Sequence, residues 1–371
     1  MNSLKQKIID KISSEGPISF ETFMEMALYD LGLGYYAKES TVIGKAGDFY
    51  TSPHLHAIFG AMLGRQMEEM WLLMERPDCF QIVEMGAGMG YLAKDMLDYL
   101  KGRDIFNHIT YTIIELNPNI KARQQTLLAD FRAKVTWISG LNELGPVQGC
   151  FLSNELLDAF PVRLVEMDDE VNEVYVAHSG ASGLAEVKRP CSSEIKDYFN
   201  AFSIRLEKGY KTEVNLRIKD WLREISSRLS EGFILTIDYG YSAQEYYSEE
   251  RKRGTLLCYY RHQISEDPYR HIGEQDITAH VNFSSLKKWG EELGIAAIGF
   301  CPQGTYLVSL GIDEVIRERY GDAPDPFEMA KIKGLLFPQG MGESHSIMIQ
   351  YKGGRQPVLR GFSFRNRVKR L

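Results

Sequence analysis

Positive charge is not in excess in this chain: 43 lysines and arginines stand against 50 aspartates and glutamates, a formal net charge of −7. Such a balance gives no global attraction to a polyanion, so no nucleic-acid partner is expected. Cysteine is scarce too. The five residues Cys79, Cys150, Cys191, Cys258 and Cys301 are scattered without CxxC spacing, which argues against a disulfide framework and against a zinc site. No run approaches the roughly 20 apolar residues that span a bilayer, so no membrane insertion is expected. The N-terminus, MNSLKQKIIDKISSEGPISF, lacks the continuous apolar core of a secretory signal. It also carries Asp10 and Glu15, where organelle presequences are acid-poor. A soluble, cytoplasmic protein is the resulting expectation.

The chain is long enough, at 371 residues, for a full α/β domain plus additions. Its organising stretch is QIVEMGAGMGYL, from Gln81 to Leu92. A short apolar run ends on Glu84, then glycines occupy every second position at Gly86, Gly88 and Gly90, and a helical pattern follows to Leu100. Glycine reaches backbone angles that other residues avoid and lets a ligand lie against the main chain. The free N–H groups of the next helix point at whatever sits over the loop.

The dinucleotide fingerprint GxGxxG does not fit well. Counted from Gly86 and Gly88 its third glycine falls on Tyr91; counted from Gly88 and Gly90 it falls on Ala93, which displaces the first turn. The Gly-Lys-Ser/Thr of a phosphate loop is absent. What is left, E-x-G-x-G-x-G, resembles the first motif of Rossmann-like S-adenosylmethionine-dependent methyltransferases. That ligand has no phosphates. Its methionyl part suits a glycine-lined backbone, with Glu84 orienting the loop or the ligand's ammonium through water. Glu115, at the end of the next strand, is placed to accept from both ribose hydroxyls. An NAD enzyme uses an acid at a comparable place, so Glu115 alone does not choose between the two.

Periodicity predicts two helices over residues 3–30, broken at Gly16-Pro17 and with Ser19 capping the second. A Gly- and Tyr-rich loop reaches Pro53, and residues 57–74 form a Met-rich helix packed on a sheet. Strands are expected at 80–84, 110–115, 134–138, 149–153 and 233–238, divided by helices at 90–100, from Pro118, and at 218–229. Short apolar strands alternating with helices imply a parallel, doubly wound sheet. A hairpin at 162–167 and 171–176 opens a polar insertion, and 239–283 has little period. A helix at 284–293, strands at 295–300 and 346–351, and a polar helical stretch over 311–333 complete the sheet. The fold class is therefore α/β, a Rossmann-like class I methyltransferase sheet with an N-terminal helical extension and insertions after strands four and five. Seven segments are expected: N-terminal helices and covering loop (1–75), first core part (76–158), β-rich insertion (159–212), core continued (213–240), lid-like loop (241–283), core completion (284–352) and a fraying basic tail (353–371).

Ligands of open α/β sheets sit beyond the carboxyl ends of the strands. Glu84, Glu115, Glu155 and Asp238 all fall there, and Asn154, Glu155 and Asp158 cluster after strand four. Acids converging on one rim suit a cationic ligand, whether sulfonium or guanidinium. Each acid has a helix cap or first-turn charge as its alternative reading, which weighs most on Asp158, while Glu155 with Asn154, directly after a buried strand, is the better functional candidate. His262, His271 and His280 share one segment, but their spacing matches no ligand pattern, so no metal is assigned.

Several phrases taken together carry a family resemblance: ALYDLGLGYY (27–36), GDFYTSP (47–53), EMGAGMGYL (84–92), ELNPNIKARQ (115–124), SNELLDAFPV (153–162), IDYGY (237–241), GTLLCYYRH (254–262) and DITAHVNF (276–283). The set resembles the MidA-like methyltransferases, whose mitochondrial members methylate an arginine on a subunit of respiratory complex I and support its assembly. The resemblance implies S-adenosyl-L-methionine as cofactor, held by Glu84, Gly86, Gly88, Gly90, Glu115, Leu116, Thr51 and Pro53. It implies a protein substrate; for an arginine nucleophile, Glu155 and Asp158 are then the residues assigned to gripping the guanidinium, with Asn154 orienting substrate or cofactor. Asp48, Asp238, Tyr259, His262, Asp276 and His280 belong to the substrate-facing or covering segments. Two other readings stay open: methylation of a small molecule or another nucleophile, and a cofactor-binding assembly chaperone without turnover. A NAD-dependent oxidoreductase is disfavoured by the glycine spacing. The oligomeric state is open.

Overall fold

The computed structural model describes residues 3–38, 52–180, 183–321 and 325–371. The chain condenses into two compact units, each built from three separated segments. One takes Met1–Phe49, Leu157–Asp220 and Tyr241–Ser285; the other takes Tyr50–Leu156, Trp221–Gly240 and Leu286–Leu371.

The second unit holds the expected sheet. Its strands are β1 (Phe80–Met85), β2 (Ile109–Ile114), β3 (Val135–Ile138), β4 (Val147–Asn154), β5 (Leu229–Tyr241), β6 (Ala296–Pro302) and β7 (His345–Lys352). Their order is β3-β2-β1-β4-β5-β7-β6. Neighbours from β3 through β5 run parallel, while β7 is antiparallel to both β5 and β6. The central strands are near-continuous apolar runs, as burial on both faces requires: Ile82, Val83, Tyr111, Ile113, Cys150, Phe233, Leu235 and Ile237 are all fully buried. The strand order reverses between β1 and β4, which is where such sheets open a crevice for a ligand.

The helices keep to the predicted places. Ile58–Leu73 buries Met62, Met67 and Met70 completely and packs closely on Tyr91–Leu100, where a Cβ on Gly60 would come within 2.5 Å of the Asp95 Cβ. Pro118–Leu127 opens with proline in its first turn, and the Asn117 side chain accepts from the Asn119 and Ile120 N–H groups. The stretch expected as one polar helical region, 311–333, is two helices, Ile312–Tyr320 and Pro326–Leu336, and a further helix, Gln303–Ser309, precedes them. Gly311 and Gly321, at φ +89° and +69°, stand at the ends of Ile312–Tyr320.

The basic tail does not fray. Arg367 N–H donates to the Phe300 carbonyl (2.6 Å), and Phe300 N–H donates to Asn366 Oδ1 (3.2 Å). The tail thus pairs with β6, an edge strand that would otherwise leave backbone groups open. Leu359 and Phe362 are buried beside it.

The first unit contains the predicted N-terminal helices, Ser3–Glu15 and Phe20–Tyr29, the latter capped by Ser19. The hairpin forms as Arg163–Met167 and Val171–His178. It extends further than expected: Leu184–Pro190 and Ile18–Ser19 both pair with Val171–His178, and Lys211–Val214 pairs with Arg163–Met167. The segment read as a lid-like loop is also regular. It carries the helix Ala243–Tyr246 and a small antiparallel sheet of Leu257–Tyr260, Gln263–Ser265 and Asp276–Thr278. N-terminal helices, insertion and presumed lid therefore make one body rather than three appendages, around a core that includes Leu4, Ile8, Phe20, Phe23, Val174 and Ile277. Within it the buried Glu213 carboxylate accepts from the Thr255 and Leu256 N–H groups, pinning the start of the small sheet. No helix among the described residues is long and apolar enough to cross a membrane.

Candidate active site

β1 runs into the glycine loop. Gly86, Gly88 and Gly90 take φ of +72°, +50° and +86°, left-handed values that favour glycine. Gly86 is also close to its surroundings: a Cβ there would lie 2.9 Å from Leu156 Cδ1, just beyond β4, and the leucine tip would have to shift. The helix Tyr91–Leu100 starts from the left-handed Gly90 with no side-chain cap.

Glu84 lies elsewhere than expected. It is 2% exposed and accepts from the Tyr111 hydroxyl on β2 at 2.7 Å. It braces the sheet beneath the loop rather than reaching over it. Burial pushes its carboxyl up to about 7, against the lowering effect of the tyrosine.

Glu115 follows β2 at the rim, as predicted. Its Oε1 accepts from Asn117 N–H (2.7 Å) and its Oε2 from Gln124 Nε2 (3.2 Å). Burial raises this carboxyl, and both hydrogen bonds offset the rise. Leu116 beside it is 78% exposed. Gln124 is a residue that sequence reasoning missed. Fully buried, it donates to the Gly88 carbonyl (2.8 Å) as well as to Glu115, and accepts from Trp137 Nε1 (2.9 Å). One amide thereby ties the glycine loop to the carboxylate on the next strand. The available signal was its position one turn after Ile120 on the buried stripe of its helix.

β4 delivers Asn154 and Glu155. Glu155 is left-handed at φ +49°, a conformation costing roughly 1–3 kcal/mol in a non-glycine residue and held only where the surroundings enforce it. Its N–H donates to the Ile237 carbonyl at 2.8 Å. Its Oε1 accepts from Asn154 Nδ2 (3.3 Å) and lies 3.5 Å from His345 Nε2 on β7. The buried Asn154 Oδ1 has no hydrogen-bond partner among the described residues. Nothing in the sequence pointed to His345, a single histidine ahead of an apolar strand. Asp238 on β5 is wholly buried, and its Oδ1 accepts from Tyr239 N–H (2.9 Å).

The first unit holds the rest of the predicted set. Asp158, 4% exposed, lies in the turn Leu157–Ala159, and its carbonyl accepts from Ala279 N–H (2.9 Å). Asp276, 1% exposed, accepts from the Tyr36 hydroxyl at 2.8 Å. Tyr36 stacks on Tyr29, whose hydroxyl donates to the Ala159 carbonyl at 3.0 Å. Burial, then the charges of Asp276 and Asp158, push both phenols well up, so the two acids surround one tyrosine pair. Tyr259 faces Asp276 across the small sheet. His280 donates its N–H to Thr255 Oγ1 (3.0 Å), its ring 5.3 Å from Tyr241. His262 is apart from the cluster: it is exposed, with φ +63°, between the first two strands of that sheet. Among the described residues no acid, histidine or cysteine group is arranged to hold a metal.

Asp48 and Thr51 lie outside the described residues. Pro53 falls in the short helix Ser52–Leu55, alongside Tyr91–Leu100.

Residues 62–301 match the model of a family described as "Putative S-adenosyl-L-methionine-dependent methyltransferase". The chain is 28% identical over 365 residues to the mitochondrial protein arginine methyltransferase NDUFAF7 of Rattus norvegicus, covering 90% of this chain and 80% of that one. It is 25% identical over 367 residues to the Homo sapiens protein of the same name, with the same two coverages. A crystal structure from Burkholderia thailandensis bound to S-adenosyl-homocysteine is 30% identical, with a TM-score of 0.89 over the whole of this chain and 96% of that one.

Proposed function

The chain belongs to the MidA-like family of S-adenosylmethionine-dependent methyltransferases, and from that premise we propose that it methylates an arginine nitrogen of a protein. The observation that carries this reading is Glu155, a strained carboxylate at the end of β4 beside the glycine loop. Among the described residues no lysine or arginine pairs with it. A carboxylate so placed suits a guanidinium brought by a substrate. The names of the relatives favour the same class. By the family resemblance the target is a subunit of respiratory complex I.

The residues fit the cofactor. Gly86 and Gly88 bend the loop left-handed without side chains, so the methionyl part would lie against bare backbone. Glu115 presents oxygens for the ribose, and the exposed Leu116 offers an apolar face for the base. Bound there, S-adenosylmethionine supplies an electrophilic methyl on a sulfonium. The chain's part is to hold and align. Glu155 grips one edge of the guanidinium fork, and Asn154 steadies Glu155 through its Nδ2. Asp158 remains assigned to the substrate's charge.

A guanidinium has a pKa above about 12, so the free base scarcely exists at neutral pH. Rate therefore comes from alignment and from a group that takes a proton during attack. The test is mass spectrometry of arginine methylation in cells with the wild-type protein, without it, and with Glu155→Gln. Arginine methylation that is lost on deletion and not restored by Glu155→Gln is expected. An unchanged arginine methylome on deletion refutes the substrate class. The compartment is a separate matter: composition suggested the cytoplasm, the relatives are named mitochondrial, and cell fractionation decides.

A further inference from the structure

Methylation of any N–H nucleophile liberates a proton. The nitrogen lone pair forms the N–CH3 bond, the S–CH3 bond breaks with its electrons going to sulfur, and the nitrogen then gives up one hydrogen. In the reading above, on which this inference rests, Glu155 grips the guanidinium, so its carboxylate is the group at hand to accept that proton. It must also be an anion again before the next substrate can be gripped, so the proton has to move on.

The neighbour that can receive it is His345. This residue opens β7, opposite Tyr239 in the antiparallel pair with β5. The side chains of His345 and Glu155 are 9% and 8% exposed. His345 Nδ1 is 3.0 Å from Ser344 Oγ, which fixes one end of the ring. Among the described residues Nε2 has no hydrogen-bond partner, and it stands 3.5 Å from Glu155 Oε1. The other groups around the pair are few. The end of β4 brings Asn154, already donating to that same oxygen. β5 brings the Tyr239 ring, edge-on at 5.6 Å, and Asp238, whose Oδ1 is engaged by the Tyr239 N–H. The turn before β7 brings Ser344 and the exposed Glu343.

We infer that His345 is the proton relay of Glu155. With Nδ1 turned to Ser344, Nε2 takes the proton that Glu155 has accepted from the nucleophile and passes it to solvent. His345 touches neither substrate nor cofactor in this scheme; it acts through Glu155.

The test uses the full chain, tritiated S-adenosylmethionine and a protein extract of cells lacking this protein. His345→Gln, His345→Ala and Glu155→Gln are compared for the rate of methyl incorporation at saturating cofactor, and for S-adenosyl-homocysteine affinity by calorimetry. His345→Gln keeps a hydrogen bond but takes no proton. It is expected to bind S-adenosyl-homocysteine within about 2-fold of wild type while losing about 10- to 100-fold in rate, a typical share for proton transfer. Added imidazole is expected to raise the His345→Ala rate and leave His345→Gln unmoved. A wild-type rate in His345→Gln, or an His345→Ala rate that imidazole does not raise, overturns the relay. If His345→Ala does not fold, His345→Gln decides alone. Full activity in Glu155→Gln would instead remove the gripping role, a separate result.

Discussion

Replacing Gln124 by methionine isolates the link between the glycine loop and Glu115. Methionine keeps the length and volume of the side chain but removes two donated bonds, at 2.8 Å to the Gly88 carbonyl and 3.2 Å to Glu115, and one accepted from Trp137 at 2.9 Å. A buried polar group left without its partner costs about 1–3 kcal/mol. Trp137 is only half-buried and recovers part of its loss from water. A total of about 2–4 kcal/mol is therefore expected, divided between folding and cofactor binding. If about 1.4 kcal/mol falls on binding, through a loosened Glu115 and a less fixed Gly88, affinity drops about tenfold. Calorimetry with S-adenosyl-homocysteine reads that part, and thermal melting of the unliganded protein reads the rest as a fall of a few degrees. An affinity within about twofold of wild type in a variant that melts normally would mean that the loop and the carboxylate are set independently.

The pH dependence of stability tests Glu84. Its carboxyl is raised to about 7 in the fold, from about 4.3 in an unfolded chain. The group's stabilising contribution is thus full below about pH 4 and is lost as pH rises through about 7. Wild type should lose on the order of 3 kcal/mol relative to Glu84→Gln between about pH 5 and pH 8, measured by urea unfolding; a constant gap between the two contradicts the assignment. For the tail, Phe362→Ala removes a ring 7% exposed and 5.4 Å from Tyr306. It should cost about 3–5 kcal/mol, read as a lowered melting temperature. A frayed tail would show no change.

The parts of the fold that could be read ahead were those with strong local grammar. β1, β2, β4 and β5 are apolar runs that end on an acid or a polar turn, and Ser19 and Pro118 announce their helices. Gly86, Gly88 and Gly90 state a backbone requirement directly, since few residues adopt their angles. Side-chain direction was less accessible. Glu84 and Glu115 both end strands, yet one turns inward to Tyr111 and the other holds the rim, a difference set by the neighbouring strand. Gln124 and His345 were missed because each is one polar residue whose meaning depends on partners distant in the chain. Leu184–Pro190 is largely exposed and polar, so it reads as loop until Val171–His178 supplies the ladder. The tail misled through composition: its six lysines and arginines hide Leu359 and Phe362, the two residues that anchor it.

The position of β7 bears on how the molecule is made. The strand is supplied late in the chain but lies inside the sheet, between β5 and β6. While residues 345–352 are still within the ribosome, β5 has an open edge, the kind of template that invites aggregation. The strands already released are parallel and pair only through distant segments, a topology that closes slowly. A nascent chain of this protein thus spends its synthesis with a half-made sheet, in the state that chaperones recognise. Seating β7 ends that exposure and, in the same event, brings His345 to Glu155.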